Sequence, residues 1–136
     1  MRNITHIVVH CSATPQTTTI ESIKSYWKNV RGWKSPGYHF IIKANGEVVQ
    51  LLDIGSVSNG VGGRNSTLIN ICYLGGVNAS KVPIDNRTPQ QKASLLTLLG
   101  EMKRKFPRAI IQGHRDFPGV AKACPSFNAK AEYANL

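Results

Sequence analysis

From Thr5 to Cys11 the chain reads Thr-His-Ile-Val-Val-His-Cys, apolar through its middle and rich in β-branched side chains. Neighbouring side chains on a strand point to opposite faces, so a run without a polar face must be covered on both sides. This places the stretch centrally in a sheet and demands layers packed on each of its faces. It also separates His10 from Cys11: the two cannot point into one cleft, and if His10 faces a site, Cys11 belongs to the core.

Two amphipathic segments can supply the layers. Thr18-Thr19-Ile20-Glu21 reads as a capping box with Thr18 at the N-cap; Ile20, Ile23, Trp27 and Val30 then share one helical face, and Gly32 stops the helix. Thr88-Pro89-Gln90-Gln91 opens a second helix, with Thr88 capping, Pro89 at the first helical position and Gln91 closing the box. Its apolar face is Leu95, Leu96, Leu98, Leu99, Met102 and Phe106, ended by Pro107. Asn45-Gly46 joins Tyr38–Ala44 to Glu47–Leu52 as a hairpin. Leu68–Leu74 is another buried strand, Ala109–Gln112 a last short one, and Asn128 caps a terminal helix reaching Leu136. The expected fold is α/β of mixed α+β character, with a central mixed β-sheet flanked by helices, and residues 1–136 form one domain without need of disulfide staples.

Charge narrows the partners. The 17 Lys and Arg outnumber 7 Asp and Glu, giving +10, which favours an anionic polymer: nucleic acid, a membrane surface or a bacterial wall. Neither aromatic–basic interleaving nor a recognition helix is evident, so no nucleic acid is expected. No apolar run is long enough to span a membrane, and the first residues lack the pattern of a signal peptide, so synthesis in the cytoplasm and no membrane insertion are expected. Three cysteines, Cys11, Cys72 and Cys124, cannot all pair, which suits a reducing compartment; a Cys11–Cys72 bridge is the one pairing left open.

The chemistry concentrates between Gln112 and Phe127, where His114 and Cys124 stand ten positions apart across a loop rich in Pro and Gly. Two protein ligands make a poor zinc site, since catalytic zinc takes three and leaves one position open. His10 is the strongest third candidate: it closes one apolar run as His114 closes another, and strand ends are where sites are built. A structural site would need a fourth ligand, for which His6, His39, Cys11 or Cys72 are available. Asp116 is placed either to orient a ligand histidine or to pair with Arg115.

Val9-His10-Cys11-Ser12-Ala13-Thr14, Gly37-Tyr38-His39-Phe40-Ile41-Ile42, Tyr73-Leu74-Gly75-Gly76, Gly113-His114-Arg115 and Lys122-Ala123-Cys124-Pro125-Ser126-Phe127 occur in that order across nearly the whole chain. Together they resemble the single-domain phage-type N-acetylmuramoyl-L-alanine amidases, related to the peptidoglycan recognition proteins. The resemblance implies the fold of that superfamily, one catalytic Zn2+ held by His10, His114 and Cys124, and Tyr38 and Lys122 as catalytic groups beside it. It implies hydrolysis of the amide between N-acetylmuramic acid and L-alanine, with bacterial peptidoglycan and anionic wall polymers as partners. An endolysin acting as a monomer, and reaching the wall through a separate release factor, is the biological expectation; a non-catalytic peptidoglycan-binding module of the same fold is the alternative. One departure concerns the groove wall. Relatives often carry a histidine in the glycine-rich loop and a Ser-Ile-Gly string after it, where this chain has Asn59-Gly60-Val61-Gly62-Gly63-Arg64-Asn65 and Leu68-Ile69-Asn70.

Overall fold

The computed structural model describes residues 2–136. Five strands form one sheet: β1 (His6–Cys11), β2 (Phe40–Ile42), β3 (Val48–Gln50), β4 (Leu68–Tyr73) and β5 (Ile110–Gly113), in the spatial order β3-β2-β4-β1-β5. All pairings are parallel except the β2–β3 hairpin, so the sheet is mixed as expected. The hairpin strands are shorter than the sequence suggests, and the turn is closed by Gly46 at φ +91, a conformation open to glycine.

Helix α1 (Ile20–Asn29) links β1 to β2 on one side of β1, and α2 (Pro89–Lys105) links β4 to β5 in the opposite direction along the sheet. Because parallel crossovers are right-handed, opposite directions place the two helices on opposite faces. The odd-numbered side chains of β1 and β4, Ile7, Val9, Cys11, Ile69, Ile71 and Tyr73, pack with Leu95, Leu98, Leu99 and Met102 of α2. On the other face Cys72 and Ile41 pack with Ile20, Ile23 and Trp27 of α1. Both faces of β1 are therefore covered, which is what its lack of alternation requires.

The α2 cap forms as read from sequence, and Gln91 is fully buried, its side-chain amide donating to the carbonyls of Ile42 and Leu74. Other details need correction. The α1 cap is Thr19, one residue later than Thr18, because its hydroxyl is the one that accepts from Ser22 N–H. The helix ends at Asn29, which turns Val30 into solvent, and Leu96 falls on the outer side of α2; both are more than half exposed. All three cysteines are free, and a Cys11–Cys72 bridge is ruled out by the strand alternation that puts Cys11 in one core layer and Cys72 in the other.

Candidate metal centre

His10 and His114 follow from the parallel register of β1 and β5: one histidine ends the first strand, the other follows the second, and both emerge at the carboxyl edge of the sheet. Loops at that edge are the usual place for a site in parallel sheets. The segment Ala121–Phe127 returns across this edge and brings Cys124 to the two imidazoles. Donor atoms of His10, His114 and Cys124 lie within 4.8 Å of one another, with the imidazole centroids 4.9 Å apart and Cys124 Sγ 3.9 Å from His10 Nδ1. No other such cluster of His, Cys, Asp or Glu occurs among the described residues, so none of His6, His39, Cys11 or Cys72 joins as a fourth ligand.

The returning segment is pinned on several sides. Arg115 N–H donates to the Cys124 carbonyl (2.8 Å), Tyr73 Oη to the Pro125 carbonyl (2.6 Å) and Ser126 Oγ to the Gly76 carbonyl (2.8 Å). Further on, the buried Arg87 guanidinium stacks 3.4 Å from the Phe127 ring centroid while holding Asp85 and Glu132, which anchors α3 (Ala129–Glu132) beneath it. Asp116 takes neither of the parts expected of it. Its carboxylate accepts from Gly113 N–H at 2.8 Å, which stiffens the turn that presents His114.

Electrostatics keep the imidazoles in the form a metal needs. Burial, then the neighbouring His114 and Lys122 charges, push His10 down to about 3 against a smaller upward pull from its bond to Asn70. Burial and Lys122 lower His114 in the same sense. Both rings are thus neutral at pH 7. The hydrogen bond with the Cys11 thiol, together with burial, pushes the Cys124 thiol up, so a metal entering here displaces a proton from sulfur. The Cys11 amide N–H, 3.1 Å from Cys124 Sγ, is a fixed donor that favours the resulting thiolate. Two neutral imidazoles and one thiolate on pinned backbone, open on one side, fit a zinc-type ion in a catalytic rather than a closed structural site.

That open side is a groove of about 480 Å³. Tyr38 and Lys122 both line it beside the three donors, as do Trp27, Asn59 and Gly60. The Tyr38 ring lies against His10 (centroids 4.9 Å) and edge-on to Trp27 (5.5 Å), and burial raises its phenol. His39, next in the chain, points the other way into a buried polar cluster with Ser58 and Asn70. Ser58 and Asn70 escape sequence reasoning as site residues. For Asn70 the signal was present: an amide in the middle of Leu-Ile-Asn-Ile-Cys-Tyr, a strand with no exposed side chain, has to find buried partners.

A sequence model of the N-acetylmuramoyl-L-alanine amidase family matches residues 1–127. The endolysin of Klebsiella phage KP32 is 40% identical over 126 residues, spanning 91% of this chain and 82% of that protein. The solved N-acetylmuramoyl-L-alanine amidase LysC from Clostridium intestinale URNW superposes with a TM-score of 0.80 at 27% identity, covering 96% of this chain and 82% of that one. Bumblebee PGRP-SA shares the fold at a TM-score of 0.80 and 18% identity, over 100% of this chain and 83% of its own.

Proposed function

The chain belongs to the N-acetylmuramoyl-L-alanine amidase family, and from that premise we propose that its metal is zinc, held by His10, His114 and Cys124, with Tyr38 and Lys122 as its catalytic side chains. It is a peptidoglycan amidase of phage endolysin type, cleaving the amide between N-acetylmuramic acid and L-alanine. The observation that carries the metal reading is the convergence of three donors of zinc-compatible chemistry at the floor of the groove. Bound there, zinc supplies Lewis acidity toward the scissile carbonyl and toward water.

The chain's own groups supply the rest. Lys122 is exposed at the rim of the groove, and its ammonium, already felt by both ligand imidazoles, is a donor for the charge that develops on the carbonyl oxygen. Tyr38 is held against His10 and Trp27 with its phenol protonated, so Oη is a donor that can orient the attacking water or pass a proton toward the leaving amine. The thiolate of Cys124 leaves a smaller positive charge on the metal than three neutral ligands would, which raises the weight carried by these two donors. The aromatic wall of Trp27 and Trp33 with Arg31 stacked on Trp33 (4.9 Å) offers an apolar and cationic surface for a glycan with an acidic stem peptide. The +10 charge draws the protein to anionic wall polymers as well, and the chain acts on the wall as a monomer after release by a separate factor. No helix among the described residues is long and apolar enough to cross a membrane.

Mass spectrometry of products from purified peptidoglycan tests the reading. Stem peptides with free N-terminal L-alanine are expected, abolished by a zinc chelator and by Cys124→Ser and restored to wild type by added zinc. Release that survives both treatments would remove the metal from the mechanism, and intact peptidoglycan with zinc bound would leave a wall-binding module.

A further inference from the structure

Beneath the metal centre lies a chain of buried polar groups that runs from His39 through Ser58 and Asn70 to His10. Asn70, Ser58 and His39 are all fully buried. The assignment starts from a group that can only donate, the backbone N–H of Asn70, which lies 3.0 Å from His39 Nδ1. His39 Nδ1 therefore carries no proton, and Nε2 donates to the Ser56 carbonyl at 2.8 Å, so Arg2 Nη2, 3.2 Å from Nε2, directs its proton to the Ile54 carbonyl at 2.6 Å instead. The Ser58 hydroxyl, 3.2 Å from the same Nδ1, directs its proton to that lone pair and shares it with the Asn70 N–H. Its oxygen is left to accept, and the partner is Asn70 Nδ2 at 2.7 Å. The amide orientation of Asn70 follows: Oδ1 is the atom that faces His10 Nε2, at 2.8 Å. An oxygen that can only accept holds the His10 proton on Nε2. Nδ1 is left with its lone pair on the side of Cys124 Sγ, 3.9 Å away.

Strand geometry explains why Asn70 can reach. In the parallel pair β1–β4, Val8 is opposite Asn70 and His10 is opposite Cys72, so His10 and Asn70 lie diagonally on the same face of the sheet. The space for the carboxamide comes from Gly60 in the glycine-rich loop. A Cβ there would sit 2.3 Å from Asn70 Cγ and 2.4 Å from Oδ1, well inside any permitted contact. Here glycine is required by close approach and not by backbone conformation.

We propose that Asn70 is the positioning residue for the ligand His10, that Ser58 and His39 fix its amide orientation, and that Gly60 is its obligatory steric complement. The inference rests on the metal reading above. It makes the loop that carries Ser56, Ser58 and Gly60 part of the metal centre's support and not only a wall of the groove, and it accounts for the joint presence of a glycine at 60 and an asparagine at 70.

The test measures zinc affinity of the metal-free protein by competition with a chromophoric chelator, together with the visible spectrum of the Co2+ form. Thermal unfolding without metal serves as the fold control. Asn70→Leu, similar in volume but without an acceptor, is expected to weaken zinc binding about 10- to 100-fold and to shift the Co2+ bands. Gly60→Ala acts in the same direction, because the carboxamide has to move. Asn70→Asp, which restores an acceptor for Nε2–H, returns the affinity to within about threefold of wild type. Ser58→Ala deletes one atom and decides the matter if Asn70→Leu does not fold: weaker zinc with a shifted spectrum supports the relay. Unchanged affinity and spectrum in Ser58→Ala and in folded Asn70→Leu, even with a lowered unfolding temperature, overturn it and leave Asn70 a packing residue. Wild-type protein that binds no zinc overturns the metal reading and this inference together, whereas wild-type binding with unaltered variants overturns this inference alone.

Discussion

Replacing Gly113 by alanine tests whether the two ligand-bearing segments owe their closeness to a missing Cβ. Gly113 ends β5 immediately before His114, and Pro125 follows Cys124. An alanine Cβ at 113 would lie 2.5 Å from Pro125 Cδ and 3.1 Å from Cγ, where ordinary contact begins at 3.4 Å, so one segment has to retreat by 3.4 − 2.5 Å, about 0.9 Å. Neither yields freely. Gly113 is paired with Val9 in the sheet and bonded to Asp116, while the Pro125 carbonyl is held by Tyr73 Oη. Its φ of −84 suits alanine, so contact alone sets the cost. Overpacking of this kind costs about 1–3 kcal/mol. A retreat near 1 Å also exceeds several-fold the roughly 0.2 Å within which metal–ligand distances hold, so zinc affinity should fall at least about tenfold. Urea unfolding of the metal-free protein and chelator competition read the two effects separately. Pro125→Ala in the same chain removes the obstructing ring atoms and should recover part of the zinc affinity. If Gly113→Ala unfolds at the wild-type urea concentration and binds zinc as wild type does, the reasoning is wrong.

Three further outcomes follow from other parts of the molecule. Lys122→Ala should lower kcat about 10²-fold with little change in KM or zinc content, and Tyr38→Phe should lower it about tenfold or more, both measured on a soluble muramoyl-peptide; normal turnover in either variant removes that side chain from the mechanism. Arg87→Met forfeits charge-assisted bonds to Asp85 and Glu132 and the stack on Phe127, and should cost about 2–3 kcal/mol in chemical denaturation. That is below the cost of stranding a buried charge, because both carboxylates are about a third or more exposed and can rehydrate. The metal-free protein should also lose stability in mild acid. His10 stays neutral in the fold down to about 3, while the unfolded chain takes up a proton near 6.5, so its contribution is complete above 6.5 and declines as pH falls from there toward 3. At pH 5 the loss is 1.5 units, about 2 kcal/mol from His10 alone, with His39 and His114 shifted in the same direction. Denaturant titrations at pH 7 and pH 5 check this, and saturating zinc should enlarge the difference, since binding has to displace the proton of the Cys124 thiol and weakens as pH falls.

Much of the architecture was legible because it rests on local rules. A doubly apolar strand has to be buried on both faces, a Thr-Pro-Gln-Gln string has to open a helix, and Asn-Gly between two apolar runs has to turn. The convergence of His10 and His114 was legible for a related reason: each ends an apolar run, and parallel strands bring such ends to one edge. Local rules also mark the limit. Thr18 and Thr19 offer the same hydroxyl to the same helix, and the folded backbone gives the cap to Thr19, whose hydroxyl accepts from Ser22 N–H. Asp116 could have served a histidine or an arginine, and the turn after β5 gave it to the Gly113 amide.

The sequence by itself determined which side chains are available, the layers they require and the edge of the sheet at which a metal would sit. Only the tertiary structure decided how those side chains are held. That Asn70 faces His10 depends on the diagonal register of β1 and β4, on Ser58 arriving from a loop twelve residues earlier, and on Gly60 leaving room. A hydrogen bond is short-ranged and directional, so its partner is set by where the folded backbone brings two groups within about 3 Å, and contacts between residues 10, 58, 60 and 70 follow no sequence period.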